Sequence, residues 1–260
     1  MTPHDQGHQG NGARMYGRGT TRTGRRVTGV AVAAMLAMTA ACGDGGGPEP
    51  ERPAASSPAP DQAPPAAQGL ENAALADGRR IGPYAVRKPD EPPFSENYTA
   101  DPASCQPLVS LAPGATAHDP VAEAHRQADI PEEAAGIGVL VQLRTYEGDG
   151  AAAVLRDLAA AGESCAGGFT EVRTLARAKV LSVEPAEAPA LGDEAKAFRI
   201  TVRDVKEDLK LYEYLTVVRS GRTTLSFRAD YMGTKDVGGV PKEIVEAQWK
   251  QFTDAGSGST

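Results

Sequence analysis

The sequence predicts a single α+β domain, a mostly antiparallel sheet with helices packed on one face. Three observations carry that prediction. Apolar residues alternate with period two in Ile137–Thr145, Phe198–Val202 and the pair Leu211–Val218 and Thr223–Tyr231. They recur at helical spacing in Ala151–Cys165 and Ile244–Phe252. The resulting order is helix, strand, helix, a run of strands, helix, and not the regular strand–helix alternation of a parallel sheet. The domain is expected over residues 70–255, long enough to bury roughly 70% of the unfolded chain's surface.

Taken in order, the chain opens on a region that concerns address and not fold. Residues 1–41 read as a signal peptide with a polar N-terminal extension, within which Met15 is an alternative start. Arg22–Arg26 supplies the basic segment, and Val27 to Ala41 runs without a charge. That run is shorter than the about 20 residues of a comfortable bilayer span. Cys42 follows Thr39-Ala40-Ala41, an arrangement that resembles a bacterial lipobox, although Thr39 stands where leucine is usual. Cys42 is thus the expected lipid-attachment residue, and the protein is expected on the extracytoplasmic face of the cell membrane. Ordinary cleavage to a secreted protein is the alternative. Arg25-Arg26, flanked by Gly24 and Thr28-Gly29, fits a twin-arginine signal poorly.

Residues 42–69 read as a disordered linker: seven prolines fall between Pro48 and Pro65 among Ala, Ser, Gly and Glu. Leu70–Asp77 suggests a short helix, and the proline-broken Gly82–Pro93 an irregular edge segment. Asp101-Pro102 resembles a helix start carrying Cys105, limited by Pro107. Ala112–Ala134 reads as a polar loop with one helical turn near Val121–Gln127. Ile137–Thr145 is the clearest strand. Glu147-Gly148-Asp149-Gly150 turns the chain into a helix whose end carries Cys165, and Gly167-Gly168 stops it. Val172–Val183 reads as extended, and Ser220-Gly221 as the turn of the following hairpin. Pro241 opens the last helix, and residues 256–260 form a tail.

Charge and cysteine count narrow the function. The first 42 residues contain five of the 27 basic side chains and one of the 34 acidic ones, which leaves 22 against 33, a net of −11. Such an acidic surface argues against nucleic acid as a partner and against a basic grip on anionic lipid. Acyl chains would hold the protein at the membrane. With Cys42 lipidated, Cys105 and Cys165 remain as an even pair in an oxidising compartment and are expected to form a disulfide, the alternative being two buried thiols. Neither lies in a Cys-x-x-Cys motif.

No nucleophile elbow, zinc-protease helix or phosphate loop is present in the sequence. Gly136-Ile137-Gly138 lacks a third glycine and enters a strand. His118, Asp119, Glu123 and His125 sketch a metal site, for which a polar loop is the better reading, so no metal or cofactor is expected. Tyr212, Tyr214 and Tyr231 are candidates for a ligand surface, with ordinary cross-strand aromatic pairing as the equal alternative.

Several short motifs together resemble the PknH-like extracellular sensor domain family. They are Cys105 on its early helix, Ala161-Gly162-Glu163-Ser164-Cys165, Leu191-Gly192-Asp193-Glu194-Ala195, Val218-Arg219-Ser220-Gly221, and the closing Val240–Gln248. The resemblance spans roughly residues 95–255. It implies an α+β fold with a cleft, disulfide bonding and no known catalysis; the kinase-attached family member carries two disulfides, and this chain has cysteines for one. The expected function is a membrane-anchored ligand-binding or sensor module whose ligand is an unknown small molecule or envelope protein. The alternatives are an envelope hydrolase or transferase with an acidic site, and a structural interaction partner.

Overall fold

The computed structural model describes residues 65–92, 98–109, 111–112, 114–131, 137–173, 177–203, 209–231 and 233–257. The signal peptide, Cys42 and most of the linker lie outside them. Helix α1 (Pro65–Ala73) begins five residues before Leu70. Strands β1 (Arg80–Ile81), β2 (Tyr84–Arg87) and β3 (Thr99–Asp101) precede a 3-10 helix, Ala103–Val109. Then come β4 (Ala122–Asp129), β5 (Ile137–Thr145), α2 (Gly150–Ser164), β6 (Phe169–Val172) and β7 (Arg177–Pro185). The chain ends with β8 (Glu194–Arg203), β9 (Lys210–Ser220), β10 (Thr223–Tyr231) and α3 (Lys242–Ser257).

The strands form one sheet in the order β1-β2-β4-β5-β10-β9-β8-β7-β6-β3, and each neighbouring pair among the described residues is antiparallel. Strand alternation divides the core in two. On β9, Tyr214 and Val218 join a cluster with α1 and α3, whereas Leu215 and Val217 join a cluster with α2 and the 3-10 helix. Each half of the sheet is therefore covered by helices on one face, and the covered face switches between halves, a division that the period-two pattern alone does not reveal. Beside the first cluster the Gln248 amide of α3 donates to Ala73 O and accepts from Leu75 N, tying the C-terminal end of α1 to α3. In the second, an added Cβ at Gly162 would lie 2.3 Å from the Phe198 ring, so α2 can seat against β8 only with glycine there.

Three local expectations are corrected. The segment read as a loop with a helical turn, Val121–Gln127, is mostly strand β4. Its inward positions are Ala122, Ala124, Arg126 and Ala128, small or charged residues that give no apolar signal. Arg126 occupies a core position because its guanidinium donates to Leu75 O and Glu71. Asp101-Pro102 does not open an α-helix. Asp101 ends a strand, the peptide is cis, and Cys105 sits on a 3-10 helix that contains Pro107. The stretch Val172–Val183, read as extended, runs from the last residue of β6 into β7, and these two strands pair with each other. The hairpin turn falls on Gly221-Arg222, with Gly221 at φ 56°, between the paired Ser220 and Thr223.

The disulfide is present: Cys105 and Cys165, 60 residues apart, have Cα atoms 5.9 Å apart and tie the 3-10 helix to the C-cap of α2.

Candidate functional site

A cleft of about 930 Å³ opens between the sheet and the start of α3. Its floor is Ala197 on β8 with Tyr214 and Thr216 on β9, all facing the α3 side. One wall is the β7–β8 connection, Ala186 to Leu191, and the other is the approach to α3, Val237 to Pro241. Small and apolar residues dominate both walls. The charged lining residues, Glu187, Lys242, Glu243 and Glu246, are all exposed and so form the rim. The volume lies within the usual range for small-molecule pockets, and an apolar interior with a few placed polar groups is their usual composition.

Tyr214 holds the second wall in place. Its hydroxyl donates to Asp236 Oδ1 at 2.7 Å and accepts from Val237 N at 2.8 Å. Asp236 also accepts from Gly238 N and from Arg199 of β8, and Arg199 pairs with Glu184 of β7. The wall is thus tied across three strands. Burial, reinforced by the bond to Asp236, pushes the Tyr214 hydroxyl up to about 12. The Tyr214 hydrogen bond, with help from Gly238 N–H and Arg199, holds Asp236 below the usual carboxylate range. Tyr214 therefore keeps its proton, and Asp236 its charge, near neutral pH.

On the opposite face lies a buried charge cluster that the sequence did not announce. Arg228 of β10 is 2% exposed and pairs with Glu213 of β9, with Glu171 of β6 at 3.4 Å and with Asp230 at 3.5 Å. Arg173 adds contacts to Glu171 and Glu213 and stacks over Tyr98. β6 and β10 are four strands apart, which in a flat sheet is about 19 Å. The Arg228–Glu171 contact therefore requires the sheet to curl around this face. Burial, with the charges of Asp230 and Glu171, pushes Glu213 up to about 7 against the pull of Arg228. Arg228 is raised in turn: burial lowers it, but the three carboxylates outweigh that.

Of the tyrosines singled out from the sequence, Tyr214 lines the cleft. Tyr212 and Tyr231 share its face and are direct cross-strand partners outside the cleft lining, with Tyr212 packed against the α1–α3 core. His118 lies 3.3 Å from Asp157, and His125 lies 3.3 Å from Glu123 on the same strand; the four residues of the sketched metal site are not brought together. Asp236, Arg199, Glu213, Glu171 and Arg228 were missed. The only signal for Arg228 was a charged residue alternating with apolar ones in β10, which reads as a solvent-facing position.

No protein-family model matches the chain, and no curated protein matches it. Solved structures similar to it include two from mycobacteria. One is the extracellular domain of PknH from Mycobacterium tuberculosis, at 12% identity and a TM-score of 0.47, over 68% of this chain and 84% of that one. The other is a putative uncharacterized protein (Rv0999 ortholog) from Mycobacterium smegmatis, at 13% identity and a TM-score of 0.33, over 68% and 88%.

Proposed function

We propose that the chain is a non-catalytic ligand-binding or sensor module, held at the extracytoplasmic face of the cell membrane by lipid on Cys42, which captures a small, largely apolar molecule in the cleft beside α3. The cleft is the observation that carries the reading: a chamber walled mainly by small and apolar residues, with a charged rim, suits capture, and Tyr214 braces its floor against the Val237–Pro241 wall before any ligand arrives. The proline-rich linker would let the domain sample a shell near the membrane and raise its effective concentration for anchored partners. Among the described residues no helix is long and apolar enough to cross a membrane.

An envelope enzyme with an acidic site has one observation in its favour, the raised Glu213 carboxyl. Against it, Glu171 and Arg228 are almost wholly enclosed, and none of the cluster lines the cleft.

The test uses the uncharged apolar dye N-phenyl-1-naphthylamine. Wild-type protein is expected to give saturable fluorescence enhancement. Ala190→Trp, an exposed wall position, is expected to abolish it without changing the unfolding temperature. Equal enhancement in both proteins would reject the cleft, and chemical turnover of any bound envelope compound would reject the non-catalytic reading. For the anchor, Cys42→Ala is expected to move the protein from the membrane fraction to the medium. Sedimentation with membranes to the same extent would end the lipoprotein reading.

A further inference from the structure

We propose that a second pocket, on the face of β4 and β5 opposite the α3 cleft, binds a small uncharged polyol or sugar. The pocket encloses about 630 Å³ and is lined by Glu123, His125, Gln142 and Arg144, with Leu111 and Pro120 at its apolar side.

Gln142 is the decisive residue. It is 1% exposed, it lines the pocket, and neither its amide oxygen nor its amide nitrogen has a hydrogen-bond partner among the described residues. A buried amide left unpaired costs about 1–3 kcal/mol, whereas leucine of similar size would cost the fold nothing of that kind. Its direct cross-strand partner is His125, whose Nδ1 is likewise buried without a hydrogen bond. Side chains directly opposed on one sheet face have Cβ atoms about 5 Å apart. The two residues therefore place an amide donor, an amide acceptor and an imidazole nitrogen side by side in the lining of one pocket.

The next cross-strand pair sets the ligand's charge. Glu123 and Arg144 face each other directly and are bonded at 3.2 Å, so they neutralise one another. An anion entering here would meet the Glu123 carboxylate, and a cation would meet the Arg144 guanidinium. A single carboxylate would also satisfy only donors, and a single ammonium only acceptors, on Gln142 and His125. Adjacent hydroxyl groups satisfy both, because each hydroxyl donates and accepts. Leu111 and the half-exposed Val121 offer an apolar surface to the C–H face of such a ligand.

The site is independent of the α3 cleft and is tested separately. The full chain, labelled with ¹⁵N at glutamine side chains, is titrated with myo-inositol and with glucose; inorganic phosphate and acetamide serve as class controls. Saturable movement of the Gln142 side-chain resonances by a polyol is expected. Gln142→Leu is expected to weaken that binding at least about ten-fold while raising the unfolding temperature of the unliganded protein, since it removes a buried unpaired amide. His125→Ala should also weaken it and gives an answer if Gln142→Leu fails to fold. No saturable shift with either polyol, tighter binding of phosphate or acetamide, or full binding by His125→Ala and Gln142→Leu would each overturn the proposal. So would a crystal grown in saturating inositol that shows only water at Gln142.

Discussion

Replacing Arg228 with methionine is expected to cost about 3–5 kcal/mol of stability at pH 8, the range for removing one partner of a buried ion pair. Around this position three carboxylates, Glu171, Glu213 and Asp230, face two guanidiniums, Arg228 and Arg173. Loss of Arg228 leaves an excess of buried negative charge that only protonation can relieve. The deficit is therefore expected to shrink at pH 5, below the raised value of Glu213, where that carboxyl takes up a proton. The wild-type protein should show the same sign more weakly. Glu213 has a folded value of about 7 against 4.5 in the unfolded chain, so between those values the folded state binds more protons. Its contribution is full below pH 4.5 and is lost as pH rises through 7. Urea unfolding at pH 5 and pH 8 measures both. Equal deficits for Arg228→Met at the two pH values would show that the cluster carries no excess charge. Arg228→Met combined with Glu171→Gln and Glu213→Gln should recover much of the loss, because the cost lies in the stranded carboxylates and not in the missing arginine.

That cluster marks where sequence reading stops. The strand Ile137–Thr145 was legible because Val139, Val141 and Leu143 alternate with more polar residues, and the β9–β10 hairpin because Gly221 sits between two alternating runs. The cysteine pair was legible by count and by the helical spacing that ends at Cys165. By contrast, Gln142 and Arg144 on β5, and Ser226 and Arg228 on β10, follow the pattern of a solvent face yet are buried. Their cover comes from segments remote in sequence, and from a curl of the sheet that brings Glu171 to Arg228 across 57 residues. Strand β4 failed for a related reason. Its core positions are filled by alanines and by Arg126, whose partner Leu75 O is 51 residues away. Tyr214 could be read as an aromatic in a strand. That it braces Asp236 and Val237 to shape a cleft depends on a loop whose path no local pattern encodes.

Removing the disulfide, with Cys105 and Cys165 both changed to alanine, is expected to cost about 4 kcal/mol, since the bond closes a 60-residue loop. Alanine avoids burying a hydroxyl at positions that are 1% and 2% exposed. For a domain of this size each kcal/mol corresponds to roughly 2–4 °C, so the unfolding temperature should fall by about 8–16 °C. Wild-type protein under reducing conditions should behave alike. The loss should also be local in its consequences. Both cysteines belong to the cluster formed by α2 and the 3-10 helix, and Leu111, on the wall of the second pocket, lies two residues past the end of that helix. Amide exchange is therefore expected to quicken in 103–109 and at the end of α2, and polyol binding at Gln142 to weaken. The cleft beside α3 rests mainly on the other cluster and on the Tyr214–Asp236–Arg199 tie. Dye binding there should persist well below the new unfolding temperature. A stability loss under about 1 kcal/mol would mean that α2 and the 3-10 helix are held by packing alone. Equal loss of both binding activities would mean that the two halves of the sheet are not the separate units that their cores suggest.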